Sequence, residues 1–249
     1  MKHEIIRHRH ETRRRTLNVA HKEYLTPAMI RVVLQGEDLA DFVSLGADDH
    51  VKLFLPADDT GQEQRRDYTP RAYDVQARSL TLDFAVHEAG PATRWAIDAQ
   101  PGDAIEIGGP RGSAVVSPTF DWWLLVGDET ALPAIGRRIE DLPKGVEVIS
   151  VVAVTSPEEH QTFETAANHT AIWAHRPAES ADDPAALLAV VRNIALPEGE
   201  GFVWIAAETT VARALRDHLL AERGHPREWS KAAGYWRKGE ADSHGKLTD

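Results

Sequence analysis

Cysteine is absent from the 249 residues, which excludes disulfides, thiolate metal sites and cysteine-ligated iron–sulfur clusters. Long apolar runs are missing too. None approaches the ~18 residues needed to cross a bilayer. The opening Met1-Lys2-His3-Glu4-Ile5-Ile6-Arg7 has no apolar stretch of leader length behind its charges. A soluble, cytoplasmic protein without membrane contact is therefore expected. Positive charge is in deficit as well: 28 Lys and Arg stand against 39 Asp and Glu, a net charge of −11. Such a chain lacks the general basic face that binds nucleic acid by replacing phosphate counter-ions. The basic charge that exists is concentrated. Residues 2–15 hold six Lys or Arg and three His against two acids, and they read as a solvated, flexible arm. The spacing of His3, His8 and His10 matches no compact metal site, and no metal ligand set is expected.

What is present suits a globular protein with a sizeable core: 42% hydrophobic and 27% charged residues. The length allows two domains of ordinary size. Up to Val116 the chain reads as short strands with Gly and Pro punctuation. They are expected at 29–34, 51–55, 80–86 and 104–107, with one helix over 91–99 opened by Gly90-Pro91. That pattern predicts an antiparallel β-barrel or sandwich. After Ser117-Pro118 continuous apolar runs at 122–126, 146–154, 171–174 and 201–207 alternate with helical segments at 131–141, 184–193 and 209–224. Such alternation predicts βαβ units and a parallel sheet. The boundary falls near 117–120, dividing the chain into domains 1–118 and 119–249.

The strongest local signal is Arg66-Asp67-Tyr68-Thr69-Pro70-Arg71. It resembles the ferredoxin-reductase-like flavoproteins, whose signature is an Arg, a gap, a Tyr and then Ser or Thr. The chemistry fits those residue types. A flavin needs an aromatic ring against its isoalloxazine, a hydroxyl near N5 and a cation for its diphosphate. Tyr68, Thr69 and Arg66 would supply these in turn, with Thr69 the residue nearest the chemistry. Downstream, Asp83, Phe84 and His87 lie on or just after the next strand, the one that contacts flavin in that superfamily. The helix opened by Gly90-Pro91 would offer free N–H groups at Ala92 and Thr93 to the diphosphate, with Trp95 on the same helix.

In the second half, Gly127-Asp128-Glu129-Thr130 and Ala207-Glu208-Thr209 each end a buried strand and open a helix. Doubly wound sheets bind nucleotides at such junctions. Asp128, Glu129 and Thr130 are candidate contacts to FAD adenosine or to the dinucleotide, and Glu208 to the nicotinamide. An acidic helix N-cap is the other account of the first junction and is compatible with the contact.

Five motifs recur in order. They are Asp49-His50-Val51-Lys52-Leu53-Phe54, the Arg66–Arg71 motif, Gly90-Pro91-Ala92-Thr93-Arg94-Trp95-Ala96, Gly127 to Ala134, and Ala233-Gly234-Tyr235-Trp236-Arg237. Together they resemble the siderophore-interacting protein family, the FAD-dependent ferric-siderophore reductases of bacteria, over roughly residues 15–240. The resemblance implies a monomer holding FAD in the N-terminal barrel and NADPH or NADH in the C-terminal α/β domain. Reduced ferredoxin is an alternative donor, and a ferric siderophore or other ferric chelate is the acceptor. It also implies that Tyr235 and Trp236 lie near the isoalloxazine, where the other account is that they anchor the tail to the core. Lys52, Arg237 and Lys246 are implied contacts for an anionic chelate. Two alternatives stay open: a general flavin reductase of the ferredoxin–NADP reductase type, and a non-catalytic siderophore-binding protein.

Overall fold

Strict alternation of apolar and polar residues builds the first half of the chain. In β4, Val51–Leu55, the odd positions are buried and the even ones partly exposed. The strand β7, Ser79–Ala85, buries Leu80 and Leu82 in the same way. The computed structural model describes residues 3–57, 61–86 and 90–240. The expected contact residues His87 and Lys246 lie outside them. The chain divides into two compact units at Val116 and Ser117, with His3 belonging to the second.

The first unit holds a seven-stranded antiparallel sheet. Its other strands are β2 (Arg14–Thr26), β3 (Met29–Gln35), β5 (Gln64–Tyr68), β6 (Pro70–Asp74) and β8 (Ala104–Gly108). Their order is β5-β4-β8-β2-β3-β7-β6. The two outermost strands, β5 and β6, are consecutive in sequence and joined only by Thr69. A sheet whose opposite edges are one residue apart must curl until those edges meet, so the barrel-like form follows from connectivity. The concave side encloses Leu17, Ile30, Val32, Leu53, Leu82, Phe84 and Ile107, each fully buried, and α1 (Pro91–Asp98) packs against them through Ala92 and Ala96.

The basic N-terminal segment is not the free arm expected. β1 (Ile5–Arg9) pairs antiparallel with β9 (Gly112–Val116). The arginines that follow are distributed among acids: Arg13 to Asp38 and Asp41, Arg14 to Glu63 and Glu106, Arg15 to Asp41. Backbone pairing fixes the strand where its side chains show no apolar alternation, and downstream acids neutralise what looked like a solvated charge run. The histidines of this segment are engaged separately. His10 meets the Ser113 hydroxyl, and His3 meets Thr119 and Glu200 while its ring stacks on Phe120.

The second unit is a five-stranded parallel sheet in the order β12-β11-β10-β13-β14. Its strands are β10 (Trp122–Asp128), β11 (Glu147–Val154), β12 (Asn168–His175), β13 (Gly201–Glu208) and β14 (Ser230–Trp236), with α2 (Leu132–Asp141), α3 (Ala185–Asn193) and α4 (Thr209–Asp217) between them. Every residue of β10 and β13 is buried, as expected for central strands covered on both faces. The helix expected over 209–224 is shorter. After Asp217 it widens into a π-helical turn, His218–Glu222, with His218 bonded to Glu222. No helix among the described residues is long and apolar enough to cross a membrane.

Candidate functional site

In the first unit the site is built where the curled sheet meets itself. The residue Tyr68 ends β5 and Arg71 lies in β6, so the Arg66–Arg71 motif straddles the seam. The Tyr68 ring lies 4.3 Å from that of Phe84, which lies 5.7 Å from Trp95 on α1. Tyr68 is partly exposed above the fully buried Phe84. Phe84, an expected flavin contact, is fully buried against that ring. Burial pushes the Tyr68 phenol well above its usual range, so it stays neutral despite the Arg66 charge beside it.

Arg66 donates to the Arg65 carbonyl at 2.7 Å and has no carboxylate partner among the described residues. An uncompensated guanidinium beside a supported aromatic ring fits a flavin with its diphosphate. Thr69, at the seam itself, is buried, and so are Ala92 and Thr93 in the first turn of α1. Gly90 caps that turn with open space where a side chain would stand.

Two expected contacts are taken up otherwise. The carboxylate of Asp83 is held by Arg31 through two bonds of 2.7 and 2.8 Å, with Arg71 at 3.8 Å. It therefore ties β3, β7 and β6 together. Lys52 pairs with Asp67 at 2.8 Å, its cross-strand neighbour in the register. That register sets Lys52 and Asp67 on one face of the strand pair and the Arg66 and Tyr68 positions on the other.

In the second unit the chain order places the switch point between β10 and β13, where connections leave the sheet in opposite directions. Both expected junctions are there. Gly127 is needed for close packing: a Cβ would stand 2.5 Å from Ala131 and 2.6 Å from the Ala206 carbonyl. Asp128 is 2% exposed and accepts four hydrogen bonds. Its Oδ1 takes the Thr130 N–H at 3.0 Å and the Thr130 hydroxyl at 2.5 Å, and its Oδ2 takes the Glu208 N–H and the Trp236 indole N–H, both at 2.9 Å. Glu208, 1% exposed, caps α4 by accepting from the N–H groups of Thr210 and Val211. Asp128 has both oxygens committed to this network, whereas Glu208 caps α4 through Oε2 alone.

The C-terminal aromatics are anchored to this sheet. Tyr235 meets Trp204 edge-on at 6.0 Å, Trp236 is bonded to Asp128, and the Thr209 hydroxyl donates to the Trp236 carbonyl at 2.9 Å. Arg237 is 55% exposed and pairs with Glu240 at 3.2 Å.

One pairing escaped sequence reasoning, although Glu129 itself was a candidate contact. Glu129 and Arg176, after β10 and β12, form an ion pair of 2.8 Å. Burial and the neighbouring Asp128 charge push the Glu129 carboxyl up to about 7, against the pull of Arg176. An Arg directly after an expected strand was the only available signal. Beside it, His160 and His175 meet through Nε2 atoms 2.8 Å apart, with rings within 6° of parallel, so they share one hydrogen.

Comparison with known proteins covers both units. The family model described as siderophore-interacting protein matches residues 120–239, and that of the siderophore-interacting FAD-binding domain matches 18–65 and 59–114. The NADPH-dependent ferric-chelate reductase of Escherichia coli (strain K12) is 35% identical over 92% of this chain and 94% of its own length. The ferric vibriobactin reductase ViuB of Vibrio cholerae is 28% identical over 91% and 90%. The crystal structure of a siderophore utilization protein from T. fusca superposes with a TM-score of 0.88 at 35% identity, covering 97% of this chain and 98% of that one.

Proposed function

Because the chain belongs to the siderophore-interacting protein family, we propose that it is a ferric-chelate reductase, using FAD to carry electrons from NADPH or NADH to a ferric siderophore. The observation that carries the reading is the supported Tyr68 ring beside the uncompensated Arg66 charge at the sheet seam. Bound FAD accepts electrons as a pair and releases them singly, which suits a hydride donor on one side and Fe(III) on the other.

The protein's own residues bind and orient. Arg66 and the first turn of α1 would hold the diphosphate. Tyr68, kept neutral, would present a ring face without adding charge, and Thr69 would offer its hydroxyl to the flavin. Gly127 and the backbone at Glu208 line the crevice for the nicotinamide dinucleotide, and Tyr235 and Trp236 border it. No acid–base residue is required for electron transfer to iron. The cations Lys52 and Arg237 attract an anionic chelate, which must compete with Asp67 and Glu240 for them. Reduction itself releases the metal, because Fe(II) is softer and holds hard oxygen ligands poorly. The same reading takes the protein as a cytoplasmic monomer, with reduced ferredoxin as an alternative donor.

The test is anaerobic. Purified flavoprotein is reduced with each nicotinamide in turn, a ferric siderophore is added, and flavin reoxidation is followed with an Fe(II) trap. Bleaching by NADPH or NADH, then recovery of flavin absorbance with stoichiometric Fe(II), is expected. Protein that stays colourless in excess FAD would sink the proposal.

A further inference from the structure

Two histidines meet on the exposed edge of the parallel sheet. His175 is the last residue of β12, the edge strand, and its backbone lies in register with Val154 of β11. His160 follows the turn 157–159, where its N–H donates to the Pro157 carbonyl at 3.1 Å. Both side chains are exposed, yet their Nε2 atoms stand 2.8 Å apart. The rings are within 6° of parallel with centroids 5.1 Å apart, so they meet edge to edge, nitrogen facing nitrogen. His160 also lies flat on the Trp173 ring, with centroids 4.5 Å apart. Trp173 and His175 are alternate residues of one strand and share a face. Regular backbone thus sets both imidazoles, and an aromatic floor holds one of them.

Pinning two exposed side chains together costs rotamer entropy, and a single N–H···N bond open to water returns little. The arrangement has a further use. Neutral imidazoles that aim Nε2 at one point are the donors preferred by borderline divalent metals. With ~2.1 Å metal–nitrogen bonds, two ligands at right angles stand about 3.0 Å apart, close to the spacing already present. Each ring has only to swing within its own plane, which keeps His160 parallel to Trp173. The metal then replaces the shared hydrogen, and the imidazole that carried it on Nε2 carries it on Nδ1 instead. Desolvation and the facing His175 hold the His160 pKa below its ordinary value, so protons compete less for the ring. The Glu158 carboxylate acts on both rings and adds a negative field. No third His, Cys, Asp or Glu among the described residues closes a set of three, so water fills the other positions.

We propose that His160 and His175 form a two-imidazole site for a borderline divalent metal ion, and that its occupant is the Fe(II) set free when a ferric chelate is reduced. Naming Fe(II) rests on the ferric-chelate reductase reading; the metal site itself does not. The chemistry of the hand-over is favourable. Oxygen ligands that hold hard Fe(III) lose their grip on Fe(II), for which imidazole is the better donor. Two protein ligands, with water in the remaining positions, also let the ion leave again, unlike a closed structural site.

The test uses the FAD-loaded protein after chelator treatment. Calorimetric titration with redox-inert Zn2+ should show a site on the wild type. His160→Ala and His175→Ala should each weaken it by at least the ~10–100-fold that loss of a supporting group costs a metal site, with flavin content unchanged. Cu2+ should quench the emission that Trp173 contributes, taken as the difference from a Trp173→Phe control. Anaerobic dialysis against ferrous sulfate should retain Fe(II) on the wild type and not on the double alanine variant. A wild type that binds no Zn2+, or a His175→Ala variant of unchanged affinity, would overturn the site. Zn2+ binding at the pair without retention of Fe(II) would overturn the occupant. A protein that retains Fe(II) there yet reduces no ferric chelate would instead overturn the functional reading and leave the metal site standing.

Discussion

Replacing Asp128 by Ala removes one carboxylate on which three segments depend. The magnitude follows from its four bonds. The Glu208 N–H is buried and Asp128 is the acceptor it meets, so stranding it costs about 1–3 kcal/mol. Losing the cap on Thr130 adds roughly 1 kcal/mol. The Trp236 indole, partly exposed, can turn to water and contributes little to stability, but its position is lost. Asp128→Ala should therefore lose about 2–4 kcal/mol in urea unfolding, with a fall in Tm of about 2–4 °C per kcal/mol. Asp128→Asn keeps one oxygen but points an amide at donors on the other side, so it should recover about half. Far-UV circular dichroism reports the fold, and tryptophan emission taken as the difference from a Trp236→Phe control reports the anchor apart from the six other tryptophans. An alanine variant within about 1 kcal/mol of wild type, with emission unchanged, would show that the knot around Asp128 does not hold this end of the sheet.

Tyr68→Ala should purify with little flavin and raise the Kd for added FAD by about tenfold or more, because ring–ring contact is worth roughly 0.5–1.5 kcal/mol beyond the area it covers; a variant retaining its full yellow colour would refute the ring's role. Asp83→Ala removes the carboxylate that Arg31 and Arg71 both approach and should cost about 1–3 kcal/mol in denaturant melts, and a variant as stable as wild type would refute the tie between β3, β7 and β6. Lys52→Ala should raise the apparent KM for an anionic ferric chelate without changing FAD affinity, and unchanged chelate kinetics would remove it from the substrate's path. Glu129 carries a pH signature. Its folded value of about 7 lies above the ordinary 4.5, so the folded chain keeps a proton that the unfolded chain has lost between those values. Stability from this group is present below 4.5 and declines as pH rises towards 7. Glu129→Gln should therefore gain on wild type across that interval in melts at stepped pH, and parallel curves would contradict the assignment.

Much of this was written locally. The alternation at Val51–Leu55 and Ser79–Ala85 gave two barrel strands within a residue, and the all-apolar starts of β10 and β13 gave the centre of the parallel sheet. Both strand-to-helix junctions were legible because glycine or a capping acid marks them. The failures have a common cause in pairing over distance. Ile5-Ile6-Arg7-His8-Arg9 has no burial pattern of its own and becomes a strand only because β9 lies beside it, over a hundred residues on. Ser230–Trp236, whose second half was read as a motif, was likewise not read as a strand, and its Gly234 fits because a Cβ there would stand 2.4 Å from the Thr209 hydroxyl. At the candidate site the residue types were readable, and so was the cap at Asp128. Asp83 and Glu208 are engaged with Arg31 and with a helix N-terminus, partners that only the fold supplies. The significance of Arg176 depends on a partner 47 positions away, which no local pattern announces.

The strand β8 lies between β4 and β2, pairing with residues 52–54 on one side and 14–18 on the other. As the chain leaves the ribosome, the first hundred residues can form the β2–β3–β7–β6 meander and the β4–β5 hairpin, but these two pieces share no hydrogen-bonded border until Ala104–Gly108 arrives. This late strand gives the β4–β5 hairpin its hydrogen-bonded border with the rest of the sheet, and a chain ending before residue 104 would carry the Arg66–Arg71 motif on a sheet left open between β4 and β2.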